Sequence, residues 1–475
     1  MSKHFQLTPE QIALSRERKL KRQATLKTAT EKEKHDPRGN ILPRDWLHSN
    51  SSTDANTVKV MTWNLLAQCL VRRELFPTSD CLKAAQREHM LYREILEMNA
   101  DICCLQEVDR TDRLFPVLEN AGYTCVYTAG PRKKHGCVVA FRKSRLSVVD
   151  KRTVFYDDEE VPHTDVEADS AWARTGSSHI TKNIANIVAL KFNEPNESDG
   201  VVVATTHLFW HPRLIYLPDL VLTTISPRQA AILLREADCF RETIGHSDWP
   251  CVIAGDFNFQ PNDATYALLT GDPLLPPHRA ALDASRVVHV SRDPSVALGA
   301  PSPAESSAEA EAEEEEESGG GESDPDRVIT NARRAGPADG LLADTALEGL
   351  FGRERRPFSA YDAGLGAMLA AGGRDVRELT FGSRVPVEAG RHGAHEPVWT
   401  SYTHYWKTVL DYIFVLDTPA APVSVLGLAA PHTADKLDGG LPRKGVCGSD
   451  HISLAAALSW PASTPTHRPT PHNTQ

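Results

Sequence analysis

From residue 58 onward the chain alternates short apolar runs with amphipathic stretches, and several of those runs end on Asn, Glu, His or Asp. Short strands interleaved with helices restrict the fold to a layered α/β arrangement, because the apolar faces of a sheet must be covered. Residues 58–63 alternate as a strand, 82–98 carry helical periodicity, and 100–105 form an apolar strand running into Gln106 and Glu107. Further strands are expected at 136–142, 184–192, 201–206, 251–254 and 409–416. A helix is expected to start at Ser226-Pro227, with Gln229 placed to complete its capping box.

Three segments fall outside this pattern. Residues 1–50 form a basic segment with one expected helix, opened by Thr8, Pro9 and Gln11 and followed by the Arg- and Lys-rich run from Arg16 to Arg22. Residues 301–326 are rich in Glu, Ala, Ser, Gly and Pro and cannot bury enough apolar surface to offset ordering, so a disordered acidic loop is expected there. Residues 461–475 read as a loose tail, rich in proline and threonine. The expected domain is therefore 51–460, interrupted by the acidic loop without being divided by it. With 475 residues and 41% apolar content, a large core is within reach.

The net charge of -11 is local. Nine glutamates lie between Glu305 and Glu322, and without them the charge is -11 + 9 = -2. The rest of the chain is near neutral and excludes neither a polyanionic nor a neutral substrate. Nine scattered cysteines without a C-x-x-C pair read as reduced packing residues rather than a zinc site. No run reaches the roughly 18 apolar residues of a membrane span and the N-terminus is polar, so an intracellular protein of cytoplasm or nucleus, without a membrane partner, is expected.

The polar strand ends are the chemical candidates. Hydrolysis of a phosphodiester needs a cation against the phosphate charge, an activated water and donors for the leaving oxygen. Hard cations take oxygen ligands, chiefly carboxylates. The candidate positions are Asn64, Glu107, His207, the run Gly255-Asp256-Phe257-Asn258, Asp411, and the pair Asp450-His451. Taken singly each has an ordinary explanation: Asn after a strand forms turns, Glu at a strand end is solvated, and a lone His is as often structural.

Their order carries more. Trp63-Asn64, Gln106-Glu107, Thr206-His207-Leu208, Gly255-Asp256-Phe257-Asn258, Leu410-Asp411-Tyr412-Ile413 and Ser449-Asp450-His451 resemble, in sequence order, the motifs of the endonuclease/exonuclease/phosphatase (DNase I-like) superfamily. Met61 to Gln68, Arg73-Glu74-Leu75-Phe76-Pro77, Lys134-His135-Gly136-Cys137 and the Phe209-Trp210-His211-Pro212 run are similar to the deadenylase-like branch, which contains angel, nocturnin and the Ngl-type RNA exonucleases. Arg44-Asp45-Trp46 strengthens the Ngl-type likeness.

The resemblance implies a four-layer α/β/β/α sandwich, two mixed sheets flanked by helices, with the site at one rim. It implies a Mg2+-dependent 3′-to-5′ exoribonuclease acting on RNA 3′ ends, poly(A) or precursor, with Mn2+ as the alternative ion. It places Glu107, Asn64 and Asp450 at the metal. His207, Asp256, Asn258, Asp411 and His451 take the catalytic roles, with Asp411 holding the tautomer of His451. Phe209, Trp210, Lys134 and Arg213 are the substrate-binding candidates, with Lys133, Tyr402 and Trp406 beside them. Two other readings remain open: a phosphatase acting on a small phosphorylated nucleotide or metabolite, and a non-catalytic RNA-binding scaffold.

The chain departs from the family pattern at Leu217 to Ser226, about ten extra residues before Pro227-Arg228-Gln229. The apolar content of this stretch favours retained non-coding sequence over an exposed functional loop.

Overall fold

The computed structural model describes residues 36–48, 56–161, 173–193, 198–209, 225–296 and 332–463. The expected N-terminal helix, the acidic loop 301–326, Trp210, Arg213, residues 217–224 of the extension and the tail beyond 463 lie outside the described residues.

Seven strands, numbered in chain order, form the first sheet. Across it they run β1 (Trp46–His48), β16 (Ser424–Ala429), β17 (Leu454–Trp460), β2 (Asn56–Asn64), β3 (Ile102–Val108), β5 (Gly136–Arg142) and β4 (Tyr123–Ala129). The second sheet runs β12 (Phe358–Ser359), β15 (Asp411–Leu416), β9 (Cys251–Asp256), β8 (Gly200–His207), β7 (Ile184–Phe192) and β6 (Leu146–Phe155). Two short ribbons, β10 (Val287–His289) with β11 (Ala332–Arg334) and β13 (Ser401–Tyr402) with β14 (Lys407–Thr408), stand outside them.

The two-residue period of the strands sorts their side chains between layers. Ile102 and Cys104 of β3 point between the sheets, where Val60 and Val139 meet Val188, Val203, Val252 and Ile413 of the second sheet. Cys103 and Leu105 point outward, under α1 (Ala84–Met98) and α2 (Thr111–Asn120), against Ile95 and Leu118. The outer face of the second sheet is covered by α3 (Ile225–Thr243), α4 (Ala264–Thr270), α5 (Pro276–Ala284) and α6 (Asp344–Leu350), which bury Leu233, Leu268, Leu282 and Leu347 against Ile187, Ala204, Ile253 and Phe414. The result is the expected α/β/β/α sandwich. Helix α7 (Ala360–Ala370) sends Tyr361 and Leu365 into the inter-sheet core, and α8 (Ala434–Leu437) is a single turn.

Among the described residues two strand pairs are parallel, β2 with β3 and β8 with β9, and the other sheet neighbours run antiparallel. In the parallel pairs Asn64 lies opposite Gln106 and His207 opposite Asp256. Antiparallel β15 begins where β9 ends, so Asp411 lies opposite the same Asp256. At the neighbouring position a Cβ on Gly255 would meet the Thr206 carbonyl oxygen at 2.2 Å, so only glycine lets β8 and β9 approach this closely.

Several elements differ from the sequence expectation. The strand expected to end at residue 105 continues to Val108, because a bulge lets Val108 pair again with Gly136 of β5. Gln229 does not cap α3; its Oε1 accepts the Phe209 N–H at 3.0 Å and its Nε2 donates to Thr181 Oγ1 at 3.0 Å, tying the end of β8 to the helix. Strand β17, with the sequence Leu-Ala-Ala-Ala-Leu-Ser-Trp, has little strand propensity of its own and is held by pairing with β2 and β16. All nine cysteines are free thiols; five are buried, three are half-buried, and Cys239 is exposed rather than a packing residue. Among the described residues no helix is long and apolar enough to cross a membrane.

Glu396 is fully buried and accepts a hydrogen bond from Tyr266 Oη at 2.8 Å. Burial raises its carboxyl to about 8, with the charge of Asp362 adding to the effect. The folded protein therefore holds a proton that the unfolded chain releases near pH 4.5. Stability from this group is complete below that pH and is lost as pH rises through about 8. Glu396→Gln should raise the melting temperature relative to wild type more at pH 8 than at pH 5. An equal difference at both values would contradict the assignment.

Candidate active site

The eight polar residues expected at strand ends meet at one rim. From the first sheet come Asn64 at the end of β2, Glu107 in the β3 bulge, and Asp450 and His451 ahead of β17. The second sheet contributes His207 at the end of β8, Asp256 at the end of β9, Asn258 just after it, and Asp411 at the start of β15. All are buried except His207, which is partly exposed.

Asn64 sits at the junction. Its Nδ2 donates to Glu107 Oε1 at 2.8 Å and to Asp256 Oδ2 at 2.9 Å, joining a carboxylate from each sheet. The orientation is fixed locally, since the Leu66 N–H can only donate and takes Asn64 Oδ1 at 3.0 Å. The amide thus turns its N–H bonds toward the two acids, and Asn64 stands beside Glu107 at the end of the rim where the metal is expected. Glu107 accepts a further bond at Oε2 from the Ala67 N–H, 2.8 Å away. Glu107 and Leu66 have φ of 55° and 57°, left-handed values that cost a non-glycine residue energy and re-aim the chain at the rim.

His451 is held in a relay. Its Nδ1 lies 2.8 Å from Asp411 Oδ2, and its Nε2 faces Asp256 Oδ2 at 3.7 Å and Asp450 Oδ2 at 4.0 Å. The segment is anchored by Trp63 Nε1 donating to the His451 carbonyl at 2.8 Å and by Ser449 Oγ donating to the Asn64 carbonyl at 2.7 Å. Opposite, His207 has Nδ1 3.8 Å from Glu107 Oε1 and Nε2 3.6 Å from Asp256 Oδ2. Asn258 closes the turn, its N–H donating to Asp256 Oδ1 at 3.1 Å and its Nδ2 to the Leu208 carbonyl at 2.9 Å.

The two histidines are tuned in opposite directions. Burial, only partly opposed by Glu107, lowers His207 to about 3, so it is neutral at ordinary pH. Burial also works against a charged His451, but Asp411, Asp256 and Asp450 outweigh it and hold that imidazole well above its usual range. Burial raises Asp256 to about 8, opposed by His451 and reinforced by Asp411, and burial raises Asp450 as well. For Glu107 burial is overcome by the charges of His207 and His135 and by the bonds from Asn64 and Ala67, and it falls below the usual carboxylate value. Because His207 is itself neutral, the two hydrogen bonds carry much of that effect at neutral pH.

Four carboxylates crowded into a buried site favour a hard cation with oxygen ligands. Asp256, Asp411 and His451 offer ligand atoms within 4.8 Å of one another. His451 Nδ1 is engaged by Asp411, so this triplet is also a hydrogen-bonded relay, and Glu107 and Asp450, whose charges act on one another, are a second pair of oxygen ligands.

The substrate candidates are dispersed. Phe209 is buried, with its ring 5.1 Å from that of His179, so its face is taken up by the protein rather than offered for stacking. Tyr402 is buried too, and Trp406 packs edge-on against Phe76 at 5.8 Å. Lys134 is exposed, and Lys133 donates to Asn183 Oδ1 at 3.0 Å. Asn183 in turn donates to the His207 carbonyl at 2.7 Å. The sequence does not single out Asn183, and it marks Gln106 only as the neighbour of Glu107, without a role of its own. Gln106 Nε2, fully buried, donates to Thr62 Oγ1 at 3.1 Å in its own sheet and to Thr205 Oγ1 at 3.0 Å in the other. A Gln inside an otherwise apolar run was the available signal.

The profile of the Endonuclease/Exonuclease/phosphatase family matches residues 61–451, a span that contains every one of the eight rim residues. The chain belongs to this family. RNA exonuclease NGL2 of Saccharomyces cerevisiae is 27% identical over 494 residues, covering 95% of this chain and 89% of its own length. Probable RNA exonuclease NGL3 of the same yeast is 27% identical over 449 residues, covering 89% and 80%. The crystal structure of ANGEL2, described as a 2′,3′-cyclic phosphatase, superposes with a TM-score of 0.53 at 20% identity, covering 88% of this chain and 98% of that one. These likenesses agree with the deadenylase-like branch of the family.

Because Gln106 joins the two halves of the rim, Gln106→Leu should destabilise the fold by about 1–3 kcal/mol, the cost of buried hydroxyls losing a partner. Urea denaturation reads this directly, and an unshifted midpoint would show that the tie carries no weight.

Proposed function

We propose that this chain is a metal-dependent exoribonuclease that removes nucleotides from RNA 3′ ends, poly(A) or precursor. The observation that carries the reading is the buried constellation in which the Asp411–His451 relay, Asp256 and His207 face Glu107 across the two sheets. The choice of RNA is supported by the yeast relatives, named RNA exonucleases, which align over most of the chain.

Glu107 and Asp450 would hold the cation, Mg2+ or alternatively Mn2+. When bound, that cation supplies positive charge against the phosphate. The chain's own residues account for the rest. Asp256 is placed to orient a water, its second oxygen fixed by the Asn258 N–H. The protonated His451, its tautomer set by Asp411, can donate to a phosphoryl oxygen or return a proton to the leaving oxygen. The neutral His207 offers an uncharged hydrogen bond to the phosphate without repelling a cation at Glu107.

The test is the product pattern on 5′-labelled and 3′-labelled RNA with Mg2+ present or chelated. A ladder of shortened 5′-labelled products that disappears with chelator is the expected result. Phosphate release without shortening would replace this reading with that of a phosphatase on small phosphorylated nucleotides. Glu107→Gln should abolish metal-dependent turnover with little change in melting temperature, and His451→Ala should reduce turnover by about 10²–10⁴-fold. Full activity in either purified variant would reject the role given to that residue.

A further inference from the structure

Beneath the rim lies a buried cation that the proposed chemistry does not use. Arg87, in the first turn of α1, is 2% exposed. Its Nη1 donates to the carbonyls of Leu65 at 3.0 Å and Gly448 at 2.9 Å, and its Nη2 to that of Leu66 at 2.7 Å. Its Nε reaches the Leu82 carbonyl at 3.4 Å. Among the described residues no carboxylate lies within ion-pair distance of this guanidinium, so its hydrogen bonds all end on backbone oxygens. Burial disfavours its charge, and the acids that compensate are Asp450 first, then Asp109, with Glu107 further down.

The carbonyls it grips are not arbitrary. Leu65 and Leu66 directly follow Asn64, and Leu66 carries the left-handed φ that turns the Ala67 N–H back to Glu107. Gly448 stands two residues before Asp450, and it is packed so closely that a Cβ there would meet the Arg87 carbonyl oxygen at 3.0 Å. One planar fork therefore sets the spacing between the loop that orients Asn64 and Glu107 and the loop that presents Asp450. A lysine ammonium keeps the charge but lacks the fixed fork that bonds both loops at once.

We propose that Arg87 is a positioning residue for the metal end of the site, holding the 64–67 and 448–450 loops in the arrangement that lets Glu107 and Asp450 share one divalent cation. This rests on the metal-dependent reading above and adds a direction to it. A buried positive charge near a cation site opposes binding, whereas correct spacing of the ligands favours it. Removing the side chain thus pulls the affinity two ways, and the sign of the change identifies the role.

The experiment is Mn2+ titration of the full chain by calorimetry and by the spin-resonance signal of free Mn2+, without substrate. The variants are Arg87→Met, Arg87→Lys and, as a control on the same helix, Leu96→Ala. Arg87→Met should weaken Mn2+ binding by roughly 10–100-fold, the range for loss of a supporting group around a metal. Arg87→Lys should fall between it and wild type, and Leu96→Ala should lower the melting temperature while leaving the affinity intact. Unchanged or tighter binding in folded Arg87→Met, or an equal loss in Leu96→Ala, would overturn the proposal. Where Arg87→Met does not fold, Arg87→Lys decides: wild-type affinity overturns the proposal and a weakened one upholds it. Absence of Mn2+ binding by wild type would instead overturn the metal reading itself, and this inference with it.

Discussion

The site depends on one constraint, that two sheets present the C-terminal ends of their parallel strand pairs at the same rim. β2 with β3 and β8 with β9 deliver Asn64, Glu107, His207 and Asp256 there. Strand β15, entering antiparallel, adds Asp411 beside Asp256. Neither sheet contains a complete centre. The relay shows the dependence most directly, since Asp411 belongs to the second sheet and its histidine to the segment leading into the first. Inter-sheet packing of Val60, Ile102, Val203 and Val252, together with the Gln106 tie, therefore sets catalytic distances as well as stability.

Electrostatics follow from that closure. Bringing Glu107, Asp256, Asp411 and Asp450 together below the surface costs desolvation at each carboxylate, and few donors are present to offset it. The Asn64 amide is shared between two of the acids, the His451 ring among three, and the Arg87 guanidinium acts from below through the backbone. A divalent cation bound among these carboxylates would offset that cost.

Much of the architecture was legible in the sequence because the strands are buried on both faces and end on polar residues. The runs at 136–142 and 184–192 coincide with β5 and β7, and the eight rim residues were found in order. What escaped depended on tertiary context. β17 reads as an alanine-rich run until β2 and β16 supply its partners. Gln229 looks like a cap until the end of β8 comes within reach of it. Arg87 and Asn183 make their important bonds to distant backbone, and no local pattern marks a residue whose partners are carbonyls far along the chain. Phe209 looked like a stacking face, and only its burial beside His179 removes that role.

The ribbon of β10 and β11 has a consequence for how the chain tolerates change. Val287 pairs with Arg334 and His289 with Ala332, so the ends of the intervening stretch are clasped together on the domain itself. Loop-closure entropy grows only with the logarithm of length, about 0.6 kcal/mol for each doubling. Changing the length of the connection beyond Val296 therefore alters its closure cost only slowly, whereas Ser291 and Asp293 are themselves bonded to the domain, to the Ile180 N–H and to Arg333. Because the clasp itself fixes where the connection leaves and rejoins the domain, it marks the place where an engineer would graft a reporter away from the hydrolytic rim.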